Sequence, residues 1–352
     1  MRDIAVVGFA QAPNVRETTG TTNGVEMLIP VFQELLAATE LSKQDIGFWC
    51  SGSSDYLAGR AFSFVSAVDA IGAFPPITES HVEMDGAWAL YEAWVKIRTG
   101  EVDTALVYGF GKSSAGELRR VLALQLDPYL VAPLWPDSLA IAGMQARLGI
   151  EAGLWTEHDM AAVAARSRAD ATGNPAAQLR GRVDVAELLD QPYLADPLRA
   201  HDCAPITDGA AAVVLAAAGR AEEIAERPAW ITGFAHRIES ASLGARDLTT
   251  SASTVAAAKA AGADGVELAE LHAPFTHQEI LLRQAIGLGE EVRINPSGGA
   301  LCGNPMFAAG LARIGESATA ILTGAAGRVL AHATSGPALQ QNLVCVLDGS
   351  KA

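Results

Sequence analysis

The alternation of apolar and polar segments along the chain predicts an α/β protein. Residues 3–10, DIAVVGFA, form a short β-branched run that ends in small residues and predicts a buried strand. Residues 24–40 follow with an amphipathic helical pattern. Residues 86–100 predict a second helix that ends at a glycine, and residues 104–111, TALVYGFG, predict another buried strand.

The pattern changes in the middle of the chain and then starts again. Residues 115–200 carry several prolines between short helical segments, which is typical of a capping region laid over a core. RPAWITGFAH, which begins at Arg227, repeats the strand-and-helix alternation. We therefore predict two similar halves, 1–225 and 226–352, each rich in βαβ units.

Composition and charge narrow the functional classes. Half of the 352 residues are hydrophobic and only 18% are charged, which suits a large core and argues against disorder. The net charge of −15 disfavours nucleic-acid binding, although a local basic cluster could still hold an anionic ligand. The four cysteines lack metal-ligand spacing and predict reduced thiols. With no signal peptide or membrane-length apolar run, we expect a cytoplasmic protein without a metal site.

Five stretches together resemble the thiolase superfamily. They are VVGFA (6–10), SGSSDY (51–56), DCAPITDGAAAVVL (202–215), ELHAPFTHQE (270–279) and NPSGGALCGNPMFAAG (295–310). Within the superfamily, the order is similar to sterol-carrier-protein-type thiolases and to actinobacterial lipid-transfer-like proteins, including steroid side-chain aldolases that lack the nucleophilic cysteine. The resemblance implies a five-layer αβαβα fold and a homodimer. We expect the dimer to use edge strands of the first half, among them TALVYGFG.

The first site position corresponds to the nucleophile of a thiolase. Thiolases place a cysteine within Cys-x-x-Gly at a helix start, where the helix N-terminus lowers the thiol pKa. When Gly86 is matched to that glycine, Glu83 takes the place of the cysteine. A carboxylate cannot carry an acyl chain as a thioester. Glu83 is therefore predicted to be either a general base or an acid that stabilises the helix end.

The second site position lies in LHAPF. Sterol-carrier-type thiolases have His-Asp-Cys-Phe here, and the resemblance implies that His272 helps to hold the thioester oxygen and that Phe275 contacts substrate. Pro274 stands in the place of the acid/base cysteine and cannot exchange a proton. The alternative for His272 is a half-buried structural histidine. His277 matches no part of the motif.

The third site position lies in the glycine-rich loop. Thiolases have Gly-His-Pro where this chain has Gly303, Asn304 and Pro305. Asparagine can donate a hydrogen bond to an enolate oxygen but cannot shuttle protons at neutral pH. Cys302 is a candidate replacement nucleophile, although such a cysteine is more often a small buried hydrophobe. The resemblance places these substrate-binding residues in the loop: Gly298, Gly299, Cys302 and Gly303.

The replacements at Glu83, Pro274 and Asn304 favour a reaction that forms no acyl-enzyme intermediate. Retro-aldol cleavage of a β-hydroxyacyl-CoA needs a base for the hydroxyl proton and donors for the enolate, and no thioester to the protein. Glu83 as base, with His272 and Asn304 as donors, meets this requirement. Tyrosines move the proton in some similar aldolases, so Tyr56, Tyr91 and Tyr108 are rival candidates for the base. Asp85 is a further rival candidate.

The sequence therefore predicts a CoA-thioester aldol lyase acting on a steroid side chain. CoA enters as part of the substrate, and no covalently bound cofactor is expected. The resemblance also implies a small OB-fold and zinc-ribbon partner protein. The alternatives are a non-catalytic acyl-CoA-binding or lipid-binding subunit and a residual acetyl-CoA acetyltransferase. For any of these, we expect SHVEMDG (80–86), LHAPF and LCGNP to meet at one pocket.

Overall fold

The structure, a computed structural model, describes residues 2–19, 24–55 and 62–351. The strands of the described part are β1 (Ile4–Gln11), β2 (Phe48–Gly52), β3 (Glu79–Val82), β4 (Thr104–Lys112), β5 (Tyr193–Ala195), β6 (Leu198–Arg199), β7 (Ile206–Ala217), β8 (Ala229–Ile238), β9 (Leu268–Leu271), β10 (Arg293–Ile294), β11 (Asn304–Pro305), β12 (Arg328–Ser335) and β13 (Gln341–Asp348). The helices are α1 (Gly24–Ala38), α2 (Ser63–Ile71), α3 (Gly86–Thr99), α4 (Leu118–Leu124), α5 (Ser138–Glu151), α6 (Glu157–Asp170), α7 (Val185–Leu189), α8 (Ala218–Ile224), α9 (Ala252–Ala261), α10 (Thr276–Ile286) and α11 (Ala309–Leu322).

All of these strands except β5 and β6 belong to one mixed sheet, whose two parts repeat the same order. From the middle outwards, the first part runs β1, β7, β4, β2, β3, and the second runs β8, β13, β12, β9, β10. The pairing directions also correspond, since β1–β7 and β8–β13 are antiparallel while β2–β4 and β9–β12 are parallel. The parts join where β1 lies antiparallel to β8, with Ala5 opposite Trp230. The predicted boundary at 226 falls in the loop between α8 and β8.

Alternation along the strands divides the protein into five layers, αβαβα, as the resemblance to the thiolase superfamily implied. Successive strand residues point to opposite faces, so Val107 packs in the central core and its neighbour Tyr108 packs in an outer core. Helices α3 and α11 fill the central layer between the two parts of the sheet. Helices α1 and α2 cover one outer face, and α9 and α10 cover the other.

The prediction that TALVYGFG is an edge strand is wrong. This stretch is β4, which lies between β2 and β7 and is buried along almost its whole length. The edge strand of this part of the sheet is β3. The apolar pattern of TALVYGFG is the expected signature of a strand covered on both faces, but it does not indicate which strands lie beside it in the sheet.

The segment between β4 and β7 forms the cap. It contains α4, α5, α6 and α7 together with the small β5–β6 hairpin. Within the cap, Ala161 packs with Leu188, and Ile141 of the cap packs against Leu243 and Leu248 from the segment between β8 and α9. Within the described ranges, no helix has both the length and the apolar character required to cross a bilayer.

Candidate active site

A cavity of about 360 Å³ lies between the cap and the loops that follow the central strands. Its polar wall includes Asp85, His272, Asn304 and Thr334. The cap supplies mainly apolar side chains to the opposite wall: Leu118, Leu122, Leu126, Leu139, Ile141 and Leu194. A mostly apolar chamber with a few converging polar groups is typical of a small-molecule site, and this volume lies within the usual range.

The polar wall is assembled from elements that are distant in the sequence. Asp85 stands directly before α3, His272 follows β9, and Thr334 lies near the end of β12. Because β9 and β12 are parallel neighbours, both deliver their carboxyl ends to the same edge of the sheet. Asn304 lies in β11, which pairs with the start of β7. SHVEMDG, LHAPF and LCGNP therefore all contribute to this cavity, through Asp85, His272 and Asn304 respectively.

Close backbone packing positions the Asn304 loop. Gly109 of β4 has no room for a side chain, because a Cβ there would lie 2.3 Å from the carbonyl oxygen of Phe307. That same oxygen accepts a hydrogen bond of 2.8 Å from the backbone N–H of Gly86. The glycine in TALVYGFG therefore lets the loop reach the start of α3, which brings the segments of Asn304 and Asp85 together.

Hydrogen bonds determine the orientation of both His272 and Asn304. The backbone N–H of Thr334 donates to His272 Nδ1 at 3.4 Å, so this ring nitrogen carries no proton. The proton of the neutral ring is then on Nε2, which lies 3.1 Å from Asn304 Oδ1 and donates to it. Asn304 must point its oxygen at the histidine, and its NH₂ group remains as a hydrogen-bond donor.

Burial keeps His272 neutral. Loss of solvent contact lowers its pKa to about 4, and the hydrogen bond to Asn304 only partly offsets this effect. The ring therefore neither exchanges protons near neutral pH nor offers its N–H to a ligand, because Asn304 already accepts it. The prediction that His272 itself holds the thioester oxygen is untested, and its observed contacts are those of a residue that positions Asn304.

Asp85 is a buried carboxylate at the junction of two helices. Its Oδ1 accepts 2.9 Å hydrogen bonds from the backbone N–H groups of Ala87 in α3 and Leu311 in α11. Its Oδ2 accepts a third, also 2.9 Å, from Gly310. Burial raises the pKa of Asp85 above its ordinary value, whereas the three hydrogen bonds act in the opposite direction. Asp85 is also the one carboxylate among the described residues that line the cavity.

Glu83 lies outside the wall of the cavity. Its carboxylate accepts a hydrogen bond of 3.0 Å from Ser54 and lies 3.7 Å from His81 Nε2. The side chain is about half exposed, at 53%. The structure therefore does not bring Glu83 to Asn304 at this cavity, and its role as base remains a prediction without support from the described contacts.

The tyrosines proposed as rival bases lie elsewhere. Tyr108 is fully buried in the outer core against Phe32, on the face of β4 opposite to the central helices. Burial raises its pKa far above the usual value. Tyr91 packs on α3 against Trp94 and Phe234. Neither tyrosine lines the cavity, and Tyr56 falls outside the described residues.

The glycine-rich loop packs behind the cavity rather than facing it. Cys302 is buried against Ala171 and Ala177, and its carbonyl accepts the backbone N–H groups of Gln178 and Leu179. The other loop residues predicted to bind substrate are also absent from the cavity wall: Gly298, Gly299 and Gly303. The glycine-containing part of the loop, residues 298–303, thus shapes the backbone that follows it, and Asn304, Met306 and Phe307 of the same stretch line the cavity.

Two residues of the LHAPF stretch line the cavity beside His272, and Cys203 is among the lining residues that the sequence did not single out. Phe275 and Pro274 both line the cavity, and Phe275 forms a β-bridge with Cys203. Cys203 also lines the cavity but was not singled out in the sequence. Its position in DCAPITDG, one of the five recognised stretches, was the available signal.

The thiols of the described protein are not activated. Burial raises the pKa of Cys50, Cys203 and Cys302 to about 12 and raises that of Cys345 still further. A thiol of this kind stays protonated at neutral pH, and the thiolate is the nucleophilic form. Cys203 therefore contributes to the cavity wall as a protonated thiol.

Comparisons with known proteins agree with the fold and the motif order. No family model matches the chain. The acetyl-CoA acetyltransferase of Methanothermobacter thermautotrophicus is 26% identical over 354 residues, covering 90% of each protein. The 17-hydroxy-3-oxo-4-pregnene-20-carboxyl-CoA lyase of Mycobacterium tuberculosis is 36% identical over 81 residues, which are 23% of this chain and 21% of the lyase. A solved structure described as "Ltp2-ChsH2(DUF35) aldolase" has a TM-score of 0.81 at 17% identity, covering 99% of this chain and 98% of its own.

These relatives bear out the predicted resemblance of the chain to the thiolase superfamily. The similarity extends to acetyltransferases and to a steroid CoA lyase, so the comparisons support an enzyme of this superfamily without selecting the reaction. At 17% identity the aldolase structure supports the fold alone.

Proposed function

We propose that this protein is a CoA-thioester aldol lyase that cleaves a β-hydroxyacyl-CoA into a carbonyl compound and a shortened acyl-CoA. The observation that carries the proposal is the fixed amide of Asn304, whose NH₂ group is left as a donor in a desolvated, mostly apolar cavity. A donor of this kind stabilises a thioester enolate. The protonated thiol of Cys203 adds support, because it is unsuited to the acyl-enzyme step of a thiolase.

The proposed reaction balances without a further reactant. A base removes the proton of the β-hydroxyl, the bond between the α and β carbons breaks, and the hydroxyl carbon becomes a ketone or aldehyde. The electron pair moves onto the α carbon and the thioester oxygen, giving an enolate that accepts a hydrogen bond from Asn304. Return of the proton to the α carbon releases the shortened acyl-CoA. The CoA moiety belongs to the substrate throughout, and no other cofactor takes part.

Desolvation gives the Asn304 amide its effect. The side chain is buried, and its oxygen is already bonded to His272, so the NH₂ group needs no reorganisation when charge develops on the substrate. Preorganised donors in a site that excludes water are worth far more than the same groups in water. His272 contributes through Asn304 by keeping the amide in one orientation.

For the base we favour Asp85 over Glu83. Asp85 lines the same cavity as Asn304, and burial raises its pKa, which makes the carboxylate a better proton acceptor than an exposed one. Its three backbone hydrogen bonds hold it in place. Glu83 is half exposed and contacts Ser54 instead.

The cap suggests the class of acyl group. The chamber is lined by leucine and isoleucine side chains from α4, α5 and neighbouring segments, which would remain dry around an apolar ligand. We therefore propose a substrate whose acyl part is bulky and apolar, such as a steroid side chain. The name of the Mycobacterium tuberculosis lyase, a steroid carboxyl-CoA lyase, is consistent with this choice.

We further propose that the protein works as a homodimer with a small OB-fold and zinc-ribbon partner. The edge strand β3 offers unpaired backbone groups for association with a second copy. The description of the structural neighbour joins two names, Ltp2 and ChsH2(DUF35), which supports the idea of a partner. Light scattering of the purified chain, alone and with the candidate partner, tests both associations.

The function is tested by product analysis. The protein, alone and with its partner, is incubated with β-hydroxyacyl-CoA substrates, and the products are identified by mass spectrometry. We expect equal amounts of a carbonyl compound and a shortened acyl-CoA. Binding without cleavage under both conditions would instead favour a non-catalytic acyl-CoA-binding subunit.

Acetyl-CoA acetyltransferase activity is the second candidate. It is favoured by the methanogen relative, which matches 90% of the chain. Thiolysis consumes free CoA and needs an activated thiol, so it predicts CoA-dependent cleavage of a 3-ketoacyl-CoA and sensitivity to iodoacetamide. The high pKa of Cys203 and Cys302 argues against both results.

A further inference from the structure

The mouth of the cavity can be located from the exposure of its lining residues. Each of the four residues of the polar wall is at most 8% exposed. The lining residues that are exposed lie on both sides of the gap between the cap and the core: Arg119, Gln125 and Leu194 of the cap, and Ile206 and Gly336 of the core. A ligand whose reacting group lies at Asn304 therefore reaches solvent between these residues, which we call the mouth.

Arg119 gives the mouth a positive charge. Among the described residues that line the cavity, it is the one arginine or lysine, and its side chain is 67% exposed. Its charge also acts on the interior of the cavity. Burial raises the pKa of Cys203, and the positive charge of Arg119 acts in the opposite direction. The guanidinium thus lies close enough to the cavity to influence a core residue of its wall.

The hydrogen-bond donors of Arg119 are not used within the described part of the chain. Its ion-pair partner is Asp137, but Nη1 lies 3.7 Å from Asp137 Oδ2, which is too far for a hydrogen bond. Asp137 is itself held at the start of α5, where its Oδ1 accepts a hydrogen bond of 2.8 Å from the backbone N–H of Ala140. The guanidinium therefore has a fixed carboxylate nearby and keeps its planar set of donors for another acceptor.

A free guanidinium at this place suits an anionic ligand group. The net charge of −15 disfavours anionic ligands over most of the surface, so a local cation at the mouth has a larger effect on which ligands bind. Arginine pairs with phosphate through two parallel N–H···O hydrogen bonds, which a single lysine ammonium cannot reproduce. The part of an acyl-CoA that extends towards solvent carries phosphate groups.

We propose that Arg119 is a specificity-determining residue that pairs with a phosphate group of the CoA moiety at the mouth of the cavity. This inference rests on the proposed function for the identity of the ligand, an acyl-CoA. An acyl-pantetheine has the same thioester and acyl chain but no phosphate, so it enters the cavity and leaves Arg119 unpaired. Arg119 therefore selects the carrier of the acyl group, whereas the apolar chamber selects the acyl group itself.

The test compares ligands that differ in their anionic groups. Octanoyl-CoA and octanoyl-pantetheine share one acyl chain and differ in the phosphates. The mono-CoA thioester of octanedioic acid adds a carboxylate at the far end of the chain, which is the other anionic group that an arginine could bind. Affinities are measured by equilibrium dialysis on the full chain at low and high salt, with mass spectrometry to confirm that each ligand remains intact.

We expect Arg119→Leu to weaken the binding of octanoyl-CoA about fivefold, as one partly exposed charge pair allows, and to change the affinity for octanoyl-pantetheine by less than about twofold. The loss should shrink at high salt. Arg119→Lys keeps the charge without the planar donors, so its loss should be smaller than that of the leucine variant.

Arg120→Leu is the matched control. Arg120 is the next residue along α4, its side chain is 70% exposed, and its contact with Glu117 is also long, at 3.5 Å. It does not line the cavity. This variant makes the same change in net charge, so it should keep the affinity for octanoyl-CoA.

The proposal is overturned if Arg119→Leu binds octanoyl-CoA as tightly as wild type does, or if Arg120→Leu shows an equal loss. An equal loss of octanoyl-CoA and octanoyl-pantetheine, or a loss confined to the octanedioic acid thioester, also overturns it. None of these readouts needs cleavage. Cleavage without an effect of Arg119 would count against this inference alone, and an effect of Arg119 without cleavage would count against the lyase alone.

Discussion

Replacement of Asn304 by alanine should slow turnover far more than it weakens binding. The change removes one amide donor and leaves the apolar chamber intact. Removing a single preorganised oxyanion donor typically lowers kcat by about 100- to 1,000-fold, which is about 3–4 kcal/mol of transition-state stabilisation. Asn304 is only 5% exposed, so water cannot readily replace the donor, and we expect the loss to lie in the upper part of this range.

The contribution of His272 should depend on Asn304. His272 donates to the amide oxygen and gives no proton to the substrate, so His272→Phe should cost only the loss of orientation. One net hydrogen bond corresponds to roughly 2- to 12-fold. In the double variant the histidine has nothing left to orient, so its kcat should equal that of Asn304→Ala.

Steady-state kinetics on a β-hydroxyacyl-CoA, combined with dissociation constants for an unreactive acyl-CoA, separate the two effects. We expect kcat to fall and the dissociation constant to change by less than about threefold. An Asn304→Ala variant that lost affinity and retained kcat would refute the enolate role. If the fold-loss of kcat in the double variant equalled the product of the losses in the two single variants, His272 would act independently of Asn304.

Three further predictions follow from the site and the core. Asp85→Asn should lower kcat by about 100-fold or more, whereas Glu83→Gln should retain most activity; the reverse result would restore Glu83 as base. Cys302→Ala should leave turnover unchanged, and iodoacetamide at neutral pH should not inactivate the protein, because burial raises the thiol pKa to about 12. Burial lowers the pKa of His277 and His332 to about 3 in the folded protein. Below about pH 6.5, these histidines therefore bind protons in the unfolded chain but not in the folded chain, which lowers the stability of the fold. The melting temperature should therefore fall as the pH is lowered from 6.5 towards 4, and less steeply in His332→Gln; equal slopes would contradict this.

The features that could be predicted from the sequence are those that leave a local pattern. The glycine in β4 has few alternatives because the backbone of Phe307 approaches it too closely for a side chain, and Gly298 and Gly299 of the NPSGG loop both have a positive φ. The NPSGG loop and the LHAPF stretch carried much of the resemblance to the thiolase superfamily, and they predicted Asn304, His272 and Phe275 as site residues. All three line the cavity.

What the sequence did not reveal depends on non-local geometry. Glu83 and Asp85 are two residues apart, and only the course of the chain between β3 and α3 determines which carboxylate meets the cavity. The apolar run of β4 gave no indication of its neighbours in the sheet, which is why its placement at an edge was wrong.

The most direct test of the central claim is whether carbon–carbon cleavage occurs without free CoA. Purified protein, with its partner, is given a β-hydroxyacyl-CoA carrying a bulky apolar acyl group, and all CoA species are quantified by mass spectrometry. The account predicts one carbonyl product and one shortened acyl-CoA for each substrate consumed, with no dependence on added CoA. Cleavage of a 3-ketoacyl-CoA that requires free CoA, with the β-hydroxyacyl-CoA left intact, would contradict it.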